Sequence, residues 1–204
     1  MTPALPPAWQ QSLVMRAIRR EPVPRAPVWL MRQAGRYLPE YRAVRRKLGF
    51  LDLCKTPQLC AEVMLSTVQR LGVDAAILFS DLLLLLEPMG LPLAFSATEG
   101  PVLGQPLRQA GDVDRLRELD SLEALEFVLE AVRQTRRGLA EELPLLGFAG
   151  APFTLAAYAI EGGASRDYRH TKCLMYGDSG AFSALLARLG RAVVRLLLGQ
   201  VAAG

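Results

Sequence analysis

Three short apolar runs, each followed by a helix-patterned stretch, constrain this chain more than any other feature. The runs are Val28 to Met31, Ala75 to Phe79 and Leu145 to Ala149. The order strand, helix, strand, helix, strand, helix predicts parallel βα units with right-handed crossovers. Folds of that class gather their chemistry where strand tips open into loops.

The stretches between the runs fill in this frame. Ala8 to Arg20 carries Trp9, Leu13, Val14 and Ile18 at helical spacing, and Pro22, Pro24 and Pro27 then lead into the first strand. Pro39 opens a short helix that ends at Gly49. Thr56-Pro57 predicts a hydroxyl N-cap with proline at the first helical position. That helix runs to Leu71, with Leu59, Val63, Met64, Val68 and Leu71 expected inward and Gly72 closing it. Leu91 to Phe95 and Pro101 to Leu103 read as a hairpin excursion. Asp120-Ser121-Leu122-Glu123 resembles a capping box that opens a helix to Leu139, with Leu122, Leu125, Val128, Leu129 and Val132 on one stripe. After the third run, Gly150 to Thr154 turns into a helix stopped by Gly162-Gly163, and a last long helix covers Ser179 to Val201.

Three strands occupy nearly all of the 204 residues, whereas a closed eight-stranded barrel takes ~250 residues. The expected fold is therefore α/β, the front part of a larger (β/α)8 barrel, with residues 1–204 forming part of one domain and no internal boundary. No apolar run approaches the ~20 residues of a membrane span, and no leading segment resembles a cleaved signal. A soluble, cytoplasmic protein is the expectation. The net charge of +4 comes mostly from dispersed arginines, so no nucleic-acid surface is singled out. Cys54, Cys60, Cys173 and a single histidine, His170, do not form a register of the about four ligands a structural zinc needs. Reduced thiols and a solvated or helix-start histidine are expected.

Three constellations carry possible chemistry. Arg32 and Arg36 follow the first run with Gly35 between them, two planar donor forks suited to carboxylate or phosphate. The same residues also have local acids such as Glu40 to pair with. Asp81 stands alone between two apolar runs. There it is either a helix N-cap or a partly desolvated functional carboxylate in need of donors or a cation. The third is Gly147 to Thr154 with Tyr158, where small residues leave room for a ligand and the tyrosine is either an anion donor or a packed aromatic.

The stretch from Pro27 to Tyr41, PVWLMRQAGRYLPEY, resembles the N-terminal signature of the uroporphyrinogen decarboxylase family. Phe79-Ser80-Asp81 and Gly147 to Gly163 resemble two further family segments in the same order. The resemblance covers essentially the whole chain, but only the front part of a family member. It implies a single (β/α)8 barrel, commonly a homodimer. It also implies removal of the four acetate carboxyls of uroporphyrinogen, giving coproporphyrinogen, with no metal and no organic cofactor. By resemblance Asp81 stabilises the cationic ring and receives the pyrrole N–H groups. Arg32 and Arg36 hold substrate carboxylates, with Arg32 also assisting proton delivery. Gln33 and Ala34 add nearby polar and backbone contacts, and Tyr158 lies near the reacting acetate.

The family's later site residues, a serine and a histidine, have no counterpart up to Gly204, and His170 does not match that histidine. A half barrel also leaves apolar edges exposed, so this chain alone is expected to be inactive or poorly stable. Two other readings stay open. One is a corrinoid or thiol methyltransferase of the same superfamily, which needs zinc ligands. The other is a non-catalytic tetrapyrrole-binding fragment.

Overall fold

The computed structural model describes residues 7–31, 33–96 and 100–204. In chain order the helices and strands are α1 (Leu13–Ile18), α2 (Pro39–Arg45), α3 (Phe50–Cys54), α4 (Pro57–Leu71) and β1 (Ala76–Ile77). The hairpin strands β2 (Leu93–Ser96) and β3 (Gly100–Leu103) precede α5 (Ala110–Val113), α6 (Glu126–Gly138) and β4 (Leu145–Leu146). The chain ends with α7 (Pro152–Glu161), α8 (Arg169–Gly177) and α9 (Ser179–Ala203). Two compact units arise: residues 1–80, 127–147 and 203–204 form the first, and 81–126 with 148–202 the second.

In the first unit β1 and β4 pair in parallel, Ala76 with Leu145 and Ile77 with Leu146. Ala76 N–H donates to Pro144 O at 3.0 Å and Leu78 N–H to Leu146 O at 2.9 Å. The regular strands are shorter than the apolar runs, because ladder bonds reach only two residues of each. The α4 helix ends on Gly72 in the left-handed conformation, φ 60°, as its glycine predicts. Its start differs from expectation. The Thr56 hydroxyl does not cap the helix but donates back to Asp52 O at 2.7 Å. The buried face of α4 is Cys60, Ala61, Val63, Met64 and Thr67, which leaves Leu59, Val68 and Leu71 only half-buried. On α6, Leu125 just before the helix and Val128, Leu129 and Val132 within it are buried as expected, while Leu122 is only half-buried.

The first apolar run departs most from its sequence reading. Val28 to Met31 is not a buried strand: Val28 is 53% and Met31 75% exposed. Asp74 N–H donates to Val28 O at 2.8 Å, and Val28 N–H donates to the Asp74 carboxylate at 2.7 Å. Pro24 and Pro27 bring no N–H of their own. No ladder forms beyond this one exchange among the described residues, so the run is attached at a point. The N-terminal helix is also broken, at Ser12, whose side chain caps α1 by accepting from Met15 N–H. Ile18, expected inward, is exposed.

In the second unit β2 and β3 form the expected antiparallel hairpin, Leu93 opposite Leu103 and Ser96 opposite Gly100. The expected box at Asp120 to Glu123 is absent: Leu122 precedes a 3-10 turn there without a side-chain cap. A reciprocal capping box instead joins Gln109 and Asp112 at α5. Helix α8 realises the helix-start reading of His170, although its full length was not marked in the sequence. It places His170 in its first turn, exposed. Helix α9 buries Phe182, Leu185, Leu189, Ala192, Val193 and Leu196 along one stripe. Its arginines clamp a loop of the same unit: Arg188 donates to Val113 O and Leu116 O, Arg195 to Leu119 O, and Arg191 pairs with Glu118. Much of the arginine surplus is thus tied to backbone carbonyls. Cys54, Cys60 and Cys173 form no disulfide; the first two are buried and Cys173 is exposed.

Candidate active site

The sequence-derived site residues divide between the units. Gln33, Ala34 and Arg36 belong to the first, Asp81 and Tyr158 to the second. Arg32 lies outside the described residues.

In the first unit Gln33 is held to β1 by its side chain. Gln33 is fully buried, with 0% exposure. Its Nε2 donates to Ala75 O at 2.7 Å and its Oε1 accepts from Ile77 N–H at 3.2 Å. The Tyr37 hydroxyl donates to the Gln33 carbonyl, and Leu38 N–H closes a turn on Gly35 O at 2.9 Å. A Cβ on Gly35 would stand 3.0 Å from the Tyr37 ring, so the turn is tight enough to favour glycine. Arg36 rides on this turn, exposed. Its guanidinium has no carboxylate partner among the described residues. Glu40, the local acid available to it, pairs instead with Arg70 at 2.9 Å. Asp74, which holds Val28, also takes a two-pronged pair from Arg25 at 2.6 and 2.7 Å. The Arg25 guanidinium and the Val28 N–H hold the Asp74 carboxyl below the usual carboxylate range, against the opposing effect of its partial burial.

In the second unit Asp81 realises the N-cap geometry. Its Oδ1 accepts from Leu83 N–H at 2.8 Å at the head of the 3-10 turn Leu82–Leu86. Burial pushes its carboxyl up from the ordinary value, and the Leu83 N–H only partly opposes this. The other carboxylate oxygen has no partner among the described residues. A cap and a partly desolvated carboxyl with one oxygen unpaired among the described residues are here the same residue. Gly150 brings the neighbouring helix close: a Cβ there would stand 2.9 Å from Leu155 Cδ2 and 3.3 Å from Leu82 Cδ1. The space at that glycine is therefore filled by leucines rather than left for a ligand. The close approach seats α7, which carries Tyr158, against the turn that Asp81 opens. Tyr158 is half-buried, and its hydroxyl has no partner among the described residues. Gly162 ends α7 at φ 81°, and Gly163 bridges to Val102 of the hairpin.

Sequence reasoning missed Gln200. It is 5% exposed on α9, donates to Phe148 O at 2.9 Å and accepts from Phe148 N–H at 3.0 Å. A lone amide in the apolar run Leu196 to Ala203 was the available signal. Among the described residues no three His, Cys, Asp or Glu side chains stand together as a metal site, and no helix is long and apolar enough to cross a membrane.

The family model for uroporphyrinogen decarboxylase matches residues 10–204. This chain belongs to the uroporphyrinogen decarboxylase family. It is similar to the uroporphyrinogen decarboxylase of Sorangium cellulosum, 55% identical over 190 residues, covering 93% of this chain and 54% of that protein. The Roseiflexus sp. uroporphyrinogen decarboxylase is 51% identical over 193 residues, 95% of this chain and 56% of the relative. The Chromohalobacter salexigens protein of the same name is 50% identical over 196 residues, covering 96% of this chain and 56% of its own. The chain thus spans about half the length of the curated relatives it matches. Among solved structures, a methyltransferase from Methanosarcina mazei matches with a TM-score of 0.63 and 19% identity, over 95% of this chain and 56% of that one. That likeness shows the fold. Together with the family match, it agrees with part of a (β/α)8 barrel.

Proposed function

We propose that the protein carrying this chain decarboxylates uroporphyrinogen III to coproporphyrinogen III in porphyrin and heme biosynthesis. The observation that carries this is Asp81: a partly desolvated carboxylate with one oxygen held by Leu83 N–H and the other open. Names and identities of the relatives support the same reaction.

The reaction asks for such a group. A proton adds to a pyrrole ring carbon, giving an azafulvenium-like cation. The bond between the acetate methylene and its carboxyl breaks, carbon dioxide leaves, and the electron pair flows into the ring. The methylene carbon then takes a proton to become methyl, and the ring carbon gives up the one it had added. The barrier follows the stability of the ring cation, and a preorganised carboxylate in a dry site lowers it. Asp81 has that role in our reading and accepts the pyrrole N–H groups with its open oxygen. Substrate N–H donors then oppose the burial that raises its pKa.

Arg32 and Arg36 hold substrate carboxylates, Arg32 also assists proton delivery, and Ala34 contributes backbone. Tyr158 donates its hydroxyl near the reacting acetate. No metal or organic cofactor takes part. The protein works as one barrel domain in a cytoplasmic homodimer, on a small molecule rather than nucleic acid or membrane. The methyltransferase likeness carries no chemistry at 19% identity.

Anaerobic turnover of uroporphyrinogen by the full-length protein tests this. Activity is expected in the wild type and lost in Asp81→Ala and Arg32→Ala. A near-normal rate in Asp81→Ala would sink the charge-stabilisation role.

A further inference from the structure

We infer that Gln33 is a positioning residue. Its buried amide registers the Arg36-bearing turn on the open edge of β1, in the place of a neighbouring strand. The inference rests on the anion-site reading of Arg36 given above.

The geometry is that of parallel strand pairing. A residue on a parallel neighbour donates to the carbonyl before its partner and accepts from the N–H after it. Gln33 does this around Ala76 with its side chain, donating to Ala75 O at 2.7 Å and accepting from Ile77 N–H at 3.2 Å. Ala76 itself donates to Pro144 O, so the opposite edge is the one that β4 occupies. A side-chain amide has the same donor and acceptor as a peptide group, which lets one residue replace a ladder rung.

Both ends of that amide are engaged and the side chain is buried, so it is directed at β1 and not at a ligand. What it fixes is the backbone that follows. The Gln33 carbonyl receives the Tyr37 hydroxyl, Leu38 N–H reaches Gly35 O at 2.9 Å, and Leu38 is buried. Arg36 therefore stands exposed between two buried anchors, Gln33 and Leu38. The apolar run before it has a separate attachment, the Asp74 exchange at Val28. No other hydrogen bond among the described residues joins Ala34 to Arg36 to β1.

A double-mutant cycle on kcat/KM in the full-length protein tests the inference, with hydrogen exchange at the Ile77 and Leu38 amides beside it. Gln33→Met removes both amide bonds, and Gln33→Glu keeps the size and the acceptor but loses the donor to Ala75 O. Each is expected to lower kcat/KM by about tenfold or more, mainly through KM, as misplaced binding groups do. In an Arg36→Ala background the same changes are expected to cost less than about threefold, because the positioned group is gone. Exchange at Leu38 is expected to quicken in both variants, and exchange at Ile77 in Gln33→Met, which removes its acceptor.

Equal losses in both backgrounds, or unchanged exchange at both amides, overturns the inference. If Arg36→Ala alone leaves kcat/KM intact, the anion-site reading fails instead, and exchange at Leu38 still decides whether Gln33 orders the turn. Should Gln33→Met fail to fold, Gln33→Glu carries the same cycle.

Discussion

The two units hold their charged groups in opposite ways. In the first, Arg36 is exposed and its neighbours are buried: Gln33 and Leu38 fix the backbone and leave the guanidinium reachable. In the second, Asp81 is itself the desolvated group, held by one N–H in the turn it opens. In the proposed function this contrast would separate two tasks. Recognising an anion asks for a charge that solvent and ligand can reach. Stabilising a transient cation asks for a charge already stripped of water.

The two buried glutamines repeat the contrast. Gln33 spans Ala75 and Ile77 as a parallel strand would, and Gln200 exchanges two bonds with the single residue Phe148 as an antiparallel partner would. Gln33 holds a segment with little else to hold it. Gln200 adds to a helix already fixed by its apolar stripe and by Arg188, Arg191 and Arg195.

The largest effect that sharpens this comparison belongs to Asp81→Asn. The amide oxygen keeps the cap bond to Leu83 N–H, since Asn and Asp cap about equally well. Turnover is nevertheless expected to fall by about 10²–10³, the scale of losing one preorganised electrostatic group. Because burial raises the folded-state pKa of Asp81, its charge costs stability above that pKa and the cost disappears as pH falls through it. Asp81→Asn should then melt no lower than wild type at neutral pH. A clearly lower melting temperature would mean that Asp81 serves the fold.

Next in size is Gln200→Leu. It leaves the N–H and C=O of half-buried Phe148 without these partners, a loss below the about 1–3 kcal/mol that a fully buried unpaired group costs. Denaturant unfolding is expected to read that loss, with exchange at the Ile77 and Leu38 amides unaltered. If those amides quicken as they do for Gln33 variants, the two glutamines are not locally distinct.

A smaller change is expected from Asp74→Asn. The Asp74 pKa is lowered in the fold, so its stabilisation is complete above the ordinary carboxylate pKa and fades as pH drops through the lowered value. The variant should flatten the acid limb of the melting curve and leave stability above pH 6 changed only as much as one exposed ion pair allows. The smallest effect concerns thiols. Cys60 donates to Leu53 O at 3.2 Å, and burial raises it to about 12. A thiol reagent on the native protein is expected to modify Cys173 first, without loss of stability. Early labelling of Cys60 would indicate that the α4 face opens.

Much of the helical frame was legible because local chemistry writes it. Pro57 and Gly72 bound α4, Gly162 stops α7, and the Leu91 to Leu103 hairpin follows its own alternation. Of the site, Asp81 was legible as a lone acid between apolar runs, and the fold shows the cap together with partial burial of its carboxyl. Helix α8 was hidden in a polar stretch without a clear apolar stripe, and the capping box moved from Asp120 to Gln109.

By itself the sequence determined the parallel pairing of the second and third apolar runs, the glycines that end α4 and α7 and the family to which the chain belongs. These depend on residues close together in the chain or on motifs read whole. Only the tertiary structure decided that Val28 to Met31 lies exposed, that Gly150 makes room for leucines, and that Gln33 faces a strand. Each depends on groups distant in sequence, 42 and 44 residues for the Gln33 bonds and 52 for those of Gln200. Local periodicity carries no record of which backbone edge a side-chain amide meets once the chain has folded.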